Sequence, residues 1–429
     1  MGYVKTPSRG WSQFPSEIGR KRKNRAGFRG FVAAIQVGQP TLRARSILLQ
    51  SPAGSLTPML PQYRIDDTSE IITPALLVFR EQLEANLDRI IQIAKDPTRL
   101  RPHCKTHKMS AVTKIELAKG ITKHKCATIA EAEMLADAGV RDIVLAYNLV
   151  GPNIGRAVKF LEKYPGITFA VTADHPAPAR ALGAAMSAAG LSIEVLLDVD
   201  TGQHRTGLPI GMEAAELYRL LADTPGLRAG GMHVYDGHQH QKSRDDRRIA
   251  VNEQFEQVLA FRDELVASGW PVPRLVCGGT ASFPIYAERS DPTIEFSPGT
   301  CVFNDAGYGE RFPDLEFPPA TLLLTRVVSR PTPNRVTLDL GYKAVASDPP
   351  AGKRLVLPDI PDAEQVLQNE EHLVIETSRA GEFQPGDAVF AIPTHVCPTS
   401  ALHKQVFVIS GGKLTERWDV TARDRWLTL

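Results

Sequence analysis

Between residues 72 and 310, short apolar runs alternate with longer stretches of helical periodicity. In the stretch 80–96, for example, Leu83, Leu87 and Ile90 fall on one helical stripe. Strand-like runs that alternate with helices predict a parallel sheet, and a count of eight favours a closed (β/α)8 barrel over the alternative, an open doubly wound sheet. The eight runs are 73–79, 100–107, 124–129, 142–148, 167–173, 192–200, 228–237 and 274–280.

The pattern changes after residue 310, where β-branched runs are separated by Pro, Gly and Asp and no comparable helical stripe intervenes. Such a pattern predicts an all-β domain that closes as a sandwich or a barrel. The predicted fold class is therefore an α/β barrel over residues 72–310, followed by a C-terminal all-β domain over residues 311–429. Residues 61–71 are expected to join that β domain before the chain enters the barrel.

The first 60 residues are strongly basic, with ten Lys or Arg, including the run RKRKNR at 20–25, and one acid, Glu17. This composition is typical of a disordered extension, and a start codon assigned upstream of Met59 would explain it equally. A nucleic-acid-binding arm, a nuclear signal and a transit peptide are alternatives. Because the formal charge of the whole chain is only +2, the remainder is mildly acidic and predicts no nucleic-acid partner.

The five cysteines are widely spread and form no CxxC pair, which is typical of a reducing compartment. Hydrophobic residues make up 43% and charged residues 23% of the chain, as in ordinary globular proteins. No apolar run approaches the roughly 18 residues that a membrane span requires. We therefore expect a cytoplasmic protein without a membrane partner.

The octapeptide RPHCKTHK at 101–108 concentrates cations in the predicted second strand. Alternate residues of a strand share a face, so Lys105 is expected to lie with His103 and His107 near the carboxyl end of the strand, where barrels place their active sites. A buried lysine is more easily deprotonated and can form a Schiff base with an aldehyde. On spacing alone, a rim of solvated cations is the competing interpretation.

Other predicted strand ends carry polar groups that suit a phosphorylated aldehyde. The predicted eighth strand ends in CGGTAS at 277–282, whose glycines expose backbone N–H groups suited to a phosphate. The two strands before it end in DTGQHRTG at 200–207 and HVYDGHQH at 233–240. A lysine, a phosphate cradle and a polar cluster on one rim point to pyridoxal phosphate as the cofactor.

As a set, these motifs resemble the D-threonine aldolase and D-serine dehydratase family, whose members share the alanine-racemase-like fold of fold-type III pyridoxal-phosphate enzymes. The resemblance covers residues 61–429 and follows the order of the family's motifs. It implies a homodimer, with Lys105 bonded to the cofactor. The other cofactor-binding residues that it implies are Arg205, Tyr235, Gly278, Gly279 and Thr280. The matching motifs are PHCKTHK, DTGQHRTG, GMHVYDGH, CGGT, EFSPGTCVFND, EEH, PGD and THVCPT.

The last of these motifs, THVCPT at 394–399, contains a candidate metal pair, His395 and Cys397. Imidazole and thiolate suit zinc or a similar ion, but two ligands alone are a weak signal. The family resemblance implies a divalent metal at this position, with Zn, Mn and Mg all open.

The resemblance further implies a lyase that acts on D-β-hydroxy amino acids with pyridoxal phosphate and a divalent metal. We predict a D-threonine aldolase, which cleaves its substrate to glycine and an aldehyde, with a histidine such as His238 helping to deprotonate the β-hydroxyl. The alternative is a D-serine dehydratase or a related D-3-hydroxy amino acid dehydratase, in which Lys105 removes the Cα proton and a keto acid and ammonia form. A non-catalytic pyridoxal-phosphate carrier is a remote alternative, because such proteins have a single domain.

Overall fold

The computed structural model describes residues 61–429, and the basic segment 1–60 with its predicted disorder lies outside the described residues. The described residues belong to one structural unit. Within residues 61–429, no helix is long and apolar enough to cross a membrane.

Helices and strands alternate over the first two thirds of the described chain, and strands dominate the last third. The helices are α1 (Arg80–Ala94), α2 (Ser110–Ala118), α3 (Ile129–Ala138), α4 (Pro152–Lys163), α5 (Pro176–Ala188), α6 (Met212–Asp223), α7 (Arg244–Ala267), α8 (Phe283–Tyr286), α9 (Ala306–Arg311) and α10 (Val396–Leu402). Short 3-10 turns lie at Pro61–Tyr63, Pro97–Arg99, Cys104–Thr106, Thr300–Val302, Pro313–Leu315 and Ala380–Glu382. The first eight strands are β1 (Ala75–Phe79), β2 (Lys123–Cys126), β3 (Asp142–Asn148), β4 (Thr168–Ala173), β5 (Ile193–Val199), β6 (Leu227–Val234), β7 (Leu275–Cys277) and β8 (Ile294–Phe296).

The strands β2 to β8 form one parallel sheet in which each strand pairs with the next along the chain. Their residues are almost all buried, because helices cover the outer face and side chains fill the inner one. The connecting helices have clear end signals: the Thr128 hydroxyl accepts from Glu131 N at the start of α3, and Gly139 ends that helix with φ of 106°. This curled parallel sheet is the predicted TIM-like barrel.

The segment 100–103 closes the sheet between its two edge strands. Leu100 bridges to Phe296 of β8, and His103 bridges to Lys125 of β2, both in parallel orientation. Backbone hydrogen bonds from Arg101 N to Phe296 O (2.8 Å) and from Lys125 N to Pro102 O (2.9 Å) hold the segment on both sides. The run 100–107 therefore serves as a barrel strand (a stave of the barrel) only as far as His103, and the chain then forms the 3-10 helix Cys104–Thr106.

Two predictions about barrel strands were wrong. The run 73–79 is not a barrel strand, because β1 pairs antiparallel with Thr321–Leu324 and parallel with Phe407–Ile409 in the second sheet. The last stave is β8, which the sequence pattern did not identify. These errors offset each other, so eight staves remain, and the CGGTAS turn follows the seventh stave instead of the eighth.

The second sheet is mixed and has nine strands, in the order β12-β13-β10-β9-β1-β15-β16, with β14 also pairing with β9 and with β11. Its tightest core packs the β1 residues Leu77 and Phe79 against Leu322, Leu324 and Phe390. It supports the predicted C-terminal β domain, with one strand supplied by the chain before the barrel. Its later strands are β9 (Thr321–Thr332), β10 (Arg335–Leu338), β11 (Leu355–Val356), β12 (Glu364–Gln368), β13 (Leu373–Glu376), β14 (Ala388–Pro393), β15 (Gln405–Ser410) and β16 (Lys413–Asp419).

A buried ion-pair network fixes the closing segment at the end of the barrel opposite the site. Arg101, with 0% of its surface exposed, donates to Glu295 Oε2 (2.5 Å) and to Asp142 Oδ1 (2.8 Å). Lys123 donates to the other Glu295 oxygen (2.7 Å). Although burial opposes its ionisation, the charge of Arg101 lowers the pKa of Glu295 to about 2. Charged groups that are well paired in this way hold the segment that leads to Lys105.

Candidate functional site

Lys105 lies in the 3-10 helix that follows the closing segment, at the carboxyl end of the barrel strands. The backbone N–H of Lys105 donates to Nδ1 of His103 (3.3 Å), which caps this turn. Lys105 therefore does not follow the strand alternation that we expected, but it still reaches the barrel mouth. It lines a cavity of about 540 Å³ together with residues from most of the surrounding strand ends, including His103, Lys125, Asn148, Thr172, Asp198, Arg205, His233 and Tyr235.

Three cations surround the ring of Tyr235 in this cavity. The Nζ atoms of Lys105 and Lys125 lie 5.9 Å and 5.8 Å from the ring centroid, and Cζ of Arg205 lies 5.0 Å from it. The predicted residues Lys105, Arg205 and Tyr235 are thus brought together. Such a concentration of positive charge suits an anionic ligand.

The cavity also contains Lys125, which the sequence pattern did not reveal, and His233, which belongs to the predicted polar cluster HVYDGHQH. Lys125 is 2% exposed, and burial together with the charge of Lys105 lowers the pKa of Lys125 to about 7. Nδ1 of His233 lies 2.7 Å from Oδ1 of Asp198, so this histidine is held by the neighbouring strand. Only the parity of Lys125 and His233 on buried strands could have indicated that they face the barrel interior.

The glycine turn after β7 has the geometry of an anion cradle. Gly278 has φ of 71°, and a Cβ there would lie 2.7 Å from Oγ of Ser282, so only glycine fits. Among the hydrogen bonds of the described residues, none uses the backbone N–H of Thr280 or Ala281. Behind the turn, Asp236 accepts from Ser282 Oγ (2.7 Å) and Tyr286 OH (2.9 Å), and burial raises the pKa of Asp236. The free N–H groups fit a phosphate.

This cradle lies next to the ring of Tyr235. A Cβ added at Gly279 would lie 3.3 Å from Cε2 of Tyr235, and none of the three cradle residues lines the cavity itself. Tyr235 therefore adjoins both the cradle and the cavity that contains Lys105. Lys105, two further cations and a glycine cradle around one aromatic ring fit a phosphorylated aldehyde such as pyridoxal phosphate.

His395 and Cys397 from the C-terminal domain meet the Lys105 turn. Sγ of Cys397 lies 3.3 Å from Oγ1 of Thr106, the residue after Lys105. His395 caps helix α10, so the pair lies at a helix start and not in an extended segment. Nδ1 of His395 lies 2.5 Å from Oδ2 of Asp348, as in metal sites where a carboxylate orients the histidine.

The electrostatics of this pair favour a thiolate. Although burial opposes its ionisation, the hydrogen bond with His395 and the charges of Lys105 and His395 lower the pKa of Cys397 below its usual range. Burial disfavours the imidazolium, yet the hydrogen bonds with Cys397 and Asp348 raise the pKa of His395 to about 9. A thiolate and an imidazole with an orienting carboxylate form a donor set that fits a zinc-like divalent ion.

A second group of potential metal ligands, His103, Cys104 and Glu131, lies beneath the Lys105 turn. Its carboxylate is already engaged, because Glu131 accepts from Ala127 N (2.6 Å) and from Cys104 Sγ (3.7 Å) and pairs with Lys108. This group therefore supports the turn and offers no open coordination position.

His238 does not join the other predicted site residues. Its Nε2 lies 3.0 Å from Nε2 of Gln254 and 3.2 Å from Nε2 of Gln239, on the far side of the turn at Gly202. It does not line the cavity that contains Lys105. Its role as a proton acceptor stays a prediction that this geometry does not favour.

Comparisons with known proteins agree with the motifs. Residues 78–306 match the family described as the alanine racemase N-terminal domain, and residues 320–409 match the one described as a putative serine dehydratase domain. The chain is 30% identical to a D-threonine aldolase of Arthrobacter sp over 387 residues, which cover 88% of this chain and 97% of that protein. It is 29% identical to a 3-hydroxy-D-aspartate aldolase of Paracoccus denitrificans over 84% of this chain and 94% of the relative.

Solved structures show the same fold. The crystal structure of D-threonine aldolase from Filomicrobium marinum superposes with a TM-score of 0.76 at 28% identity, over 82% of this chain and 95% of that one. An alanine racemase of Clostridium difficile 630 superposes with a TM-score of 0.64 at 12% identity, over 82% and 100% of the two chains, which shows the shared fold alone.

Proposed function

Because the chain belongs to the D-threonine aldolase and D-serine dehydratase family of alanine-racemase-like enzymes, we propose that it cleaves D-β-hydroxy amino acids to glycine and an aldehyde. The chain is a lyase of this family. The observation that carries the proposal is the contact between Cys397 and Thr106, beside Lys105. It supports a metal-binding pair close to the turn that carries Lys105, whose charge acts on Cys397.

The proposed cofactor-binding residues follow from this arrangement. Pyridoxal phosphate would bond through its aldehyde to Lys105, with its phosphate at the turn formed by Gly278, Gly279 and Thr280 and its ring near Arg205 and Tyr235. Of the three N–H groups in that turn, Gly278 N is bonded to Val234 O and Gly279 N to Ser282 Oγ, which leaves the N–H of Thr280 for the phosphate. When bound, it supplies an electron sink for the electron pair that remains on Cα after a Cα substituent leaves. Enzymes of this fold type use pyridoxal phosphate.

The proposed metal-binding residues are His395 and Cys397, and a divalent ion there would supply a Lewis acid for the substrate's β-hydroxyl. Asp348 orients His395, so that the imidazole faces Cys397 and the Lys105 turn. A substrate whose amino group lies at Lys105 would have its β-hydroxyl within reach of this pair. The protein would thus hold two groups of one substrate at once and fix the position of the Cα–Cβ bond between them.

The aldolase is preferred because the relatives matched over nearly their whole length are named aldolases, D-threonine aldolase and 3-hydroxy-D-aspartate aldolase. A dehydratase is the second candidate. It is favoured by Cys397 and by the match of residues 320–409 to a putative serine dehydratase domain. A relative named D-threo-3-hydroxyaspartate dehydratase is 28% identical over 54% of this chain.

One assay distinguishes the two activities. Purified protein with pyridoxal phosphate and Mn²⁺ or Zn²⁺ is incubated with D-threonine, D-phenylserine, 3-hydroxy-D-aspartate or D-serine. An aldolase releases glycine and the matching aldehyde from the first three substrates. Keto acid and ammonia without glycine would overturn the aldolase in favour of the dehydratase. Light scattering after size-exclusion chromatography tests the homodimer that the family implies.

A further inference from the structure

In the part of the chain that the structure describes, Lys125 is a buried lysine whose only recorded side-chain partner is the ring of Tyr235, 5.8 Å from its Nζ. It is 2% exposed, and its side chain lines the cavity beside Lys105. Its backbone N–H is bonded to Pro102 O, but its Nζ makes neither a hydrogen bond nor an ion pair there. An unpaired buried ammonium costs folding free energy, so it requires a compensating anion or the loss of its proton.

The acidic groups around Lys125 are committed elsewhere. Asp236 accepts hydrogen bonds from Ser282 and Tyr286, and Asp198 is held by His233. Burial, followed by the charge of Lys105, lowers the pKa of Lys125 to about 7, although Cys277 and Asp236 oppose the shift. Among the described residues no carboxylate therefore forms a hydrogen bond or an ion pair with Nζ of Lys125, and the cavity is where an anion can bind.

The depth of Lys125 indicates which ligand supplies that anion. At the cavity mouth, Tyr147 and Val150 are 54% and 52% exposed, and this open end is where substrate enters and product leaves. Lys125 occupies the buried end, on β2 beside the stave that leads to Lys105. The buried end contacts the ligand that stays in place through the reaction, which is the cofactor.

We propose that Lys125 is an additional cofactor-binding residue, whose amino group donates a hydrogen bond to an anionic oxygen of pyridoxal phosphate from the buried end of the cavity. The inference rests on the proposed function, because it requires that cofactor. The cofactor carries two kinds of anionic oxygen, on its phosphate and on its ring, and both have the chemistry that Lys125 would recognise.

The test is the affinity of Lys125→Met for the cofactor, measured by absorbance titration of the full-length protein. The control is Lys123→Met, which changes a lysine on the same strand and the same face that is paired with Glu295 outside the cavity. We expect the dissociation constant for pyridoxal phosphate to rise about tenfold or more in Lys125→Met, the value of a hydrogen bond to a charged group, and to stay unchanged in Lys123→Met. The same titration with pyridoxal, which lacks the phosphate, identifies the oxygen. If Lys125 contacts the ring oxygen, Lys125→Met should lose as much affinity for pyridoxal as for pyridoxal phosphate. If Lys125 contacts the phosphate, its affinity for pyridoxal should equal that of the parent.

Thermal unfolding with and without cofactor separates this role from a structural one. Without cofactor, Lys125→Met should melt at a higher temperature than the parent, because an unpaired buried charge is removed. When the cofactor is added at the same concentration to both proteins, the melting temperature of the parent should rise more than that of Lys125→Met. Lys125→Gln repeats the measurement if the methionine variant does not fold. Cofactor affinity within twofold of the parent in either variant overturns the inference, whereas a parent protein that binds no pyridoxal phosphate overturns the proposed function instead.

Discussion

Replacing Glu295 with glutamine tests the ion-pair network that closes the barrel beneath the site. Arg101 is fully buried and depends on Glu295 and Asp142 for its charge partners. The pKa of Glu295 falls from an ordinary 4.5 to about 2. At about 1.4 kcal/mol per unit, this corresponds to roughly 3 kcal/mol at neutral pH. Removing one partner of a buried pair costs about 3–5 kcal/mol, so both arguments give a loss of about 3 kcal/mol for Glu295→Gln.

The loss should depend on pH with a definite sign. Because the pKa of Glu295 is lower in the folded than in the unfolded chain, its stabilisation is complete above about pH 4.5 and declines as the pH falls toward 2. At pH 3, about 1 kcal/mol should remain of the difference between the parent and Glu295→Gln.

Urea unfolding followed by tryptophan fluorescence at pH 7 and pH 3 measures both values. Asp142→Asn is the matched control. The Asp142 side chain is 26% exposed, and Arg101 keeps Glu295 in that variant, so the expected loss is about 1 kcal/mol. A loss below about 1 kcal/mol for Glu295→Gln at pH 7, or an equal loss at both pH values, would refute the reasoning.

Four further predictions concern the site. Lys105→Ala should abolish the visible absorbance of the bound cofactor and the activity, and survival of both would exclude Lys105 as the bonded lysine. A chelator should abolish activity and leave that absorbance in place, whereas loss of the absorbance would show that the metal is structural. Asp348→Asn should weaken the metal affinity about 10- to 100-fold in a competition titration, because His395 loses the carboxylate that orients it. Gly278→Ala should destabilise the protein by about 2–4 kcal/mol, because of the positive φ at this position and the clash with Ser282. The control Gly279→Ala should cost under about 1 kcal/mol. Equal melting temperatures of the two variants would contradict this prediction.

The barrel and the β domain could be predicted because their periodicities are local properties of the sequence. The sheet to which β1 belongs could not, since an apolar run such as 75–79 pairs equally well with either sheet. Tertiary contacts made by strands more than two hundred residues away decide that choice. The three-residue strand β8 is too short to show any period.

The site was predictable where a residue's chemistry is unusual for its place, as for Lys105 and for the pair His395 and Cys397. Their contact across two domains could only be seen in the fold. Lys125 escaped because a lysine in a short strand ordinarily faces solvent. His238 was predicted as one histidine of the polar cluster HVYDGHQH, but its ring contacts Gln254 and does not line the cavity.

The central claim is that Lys105 is the lysine to which the cofactor bonds. Borohydride reduction of the protein with bound pyridoxal phosphate makes that bond permanent, and mass spectrometry of the digested protein identifies the modified lysine. The account predicts the label on the peptide that contains Lys105. A label on any other lysine, Lys125 included, with Lys105 unmodified would contradict it.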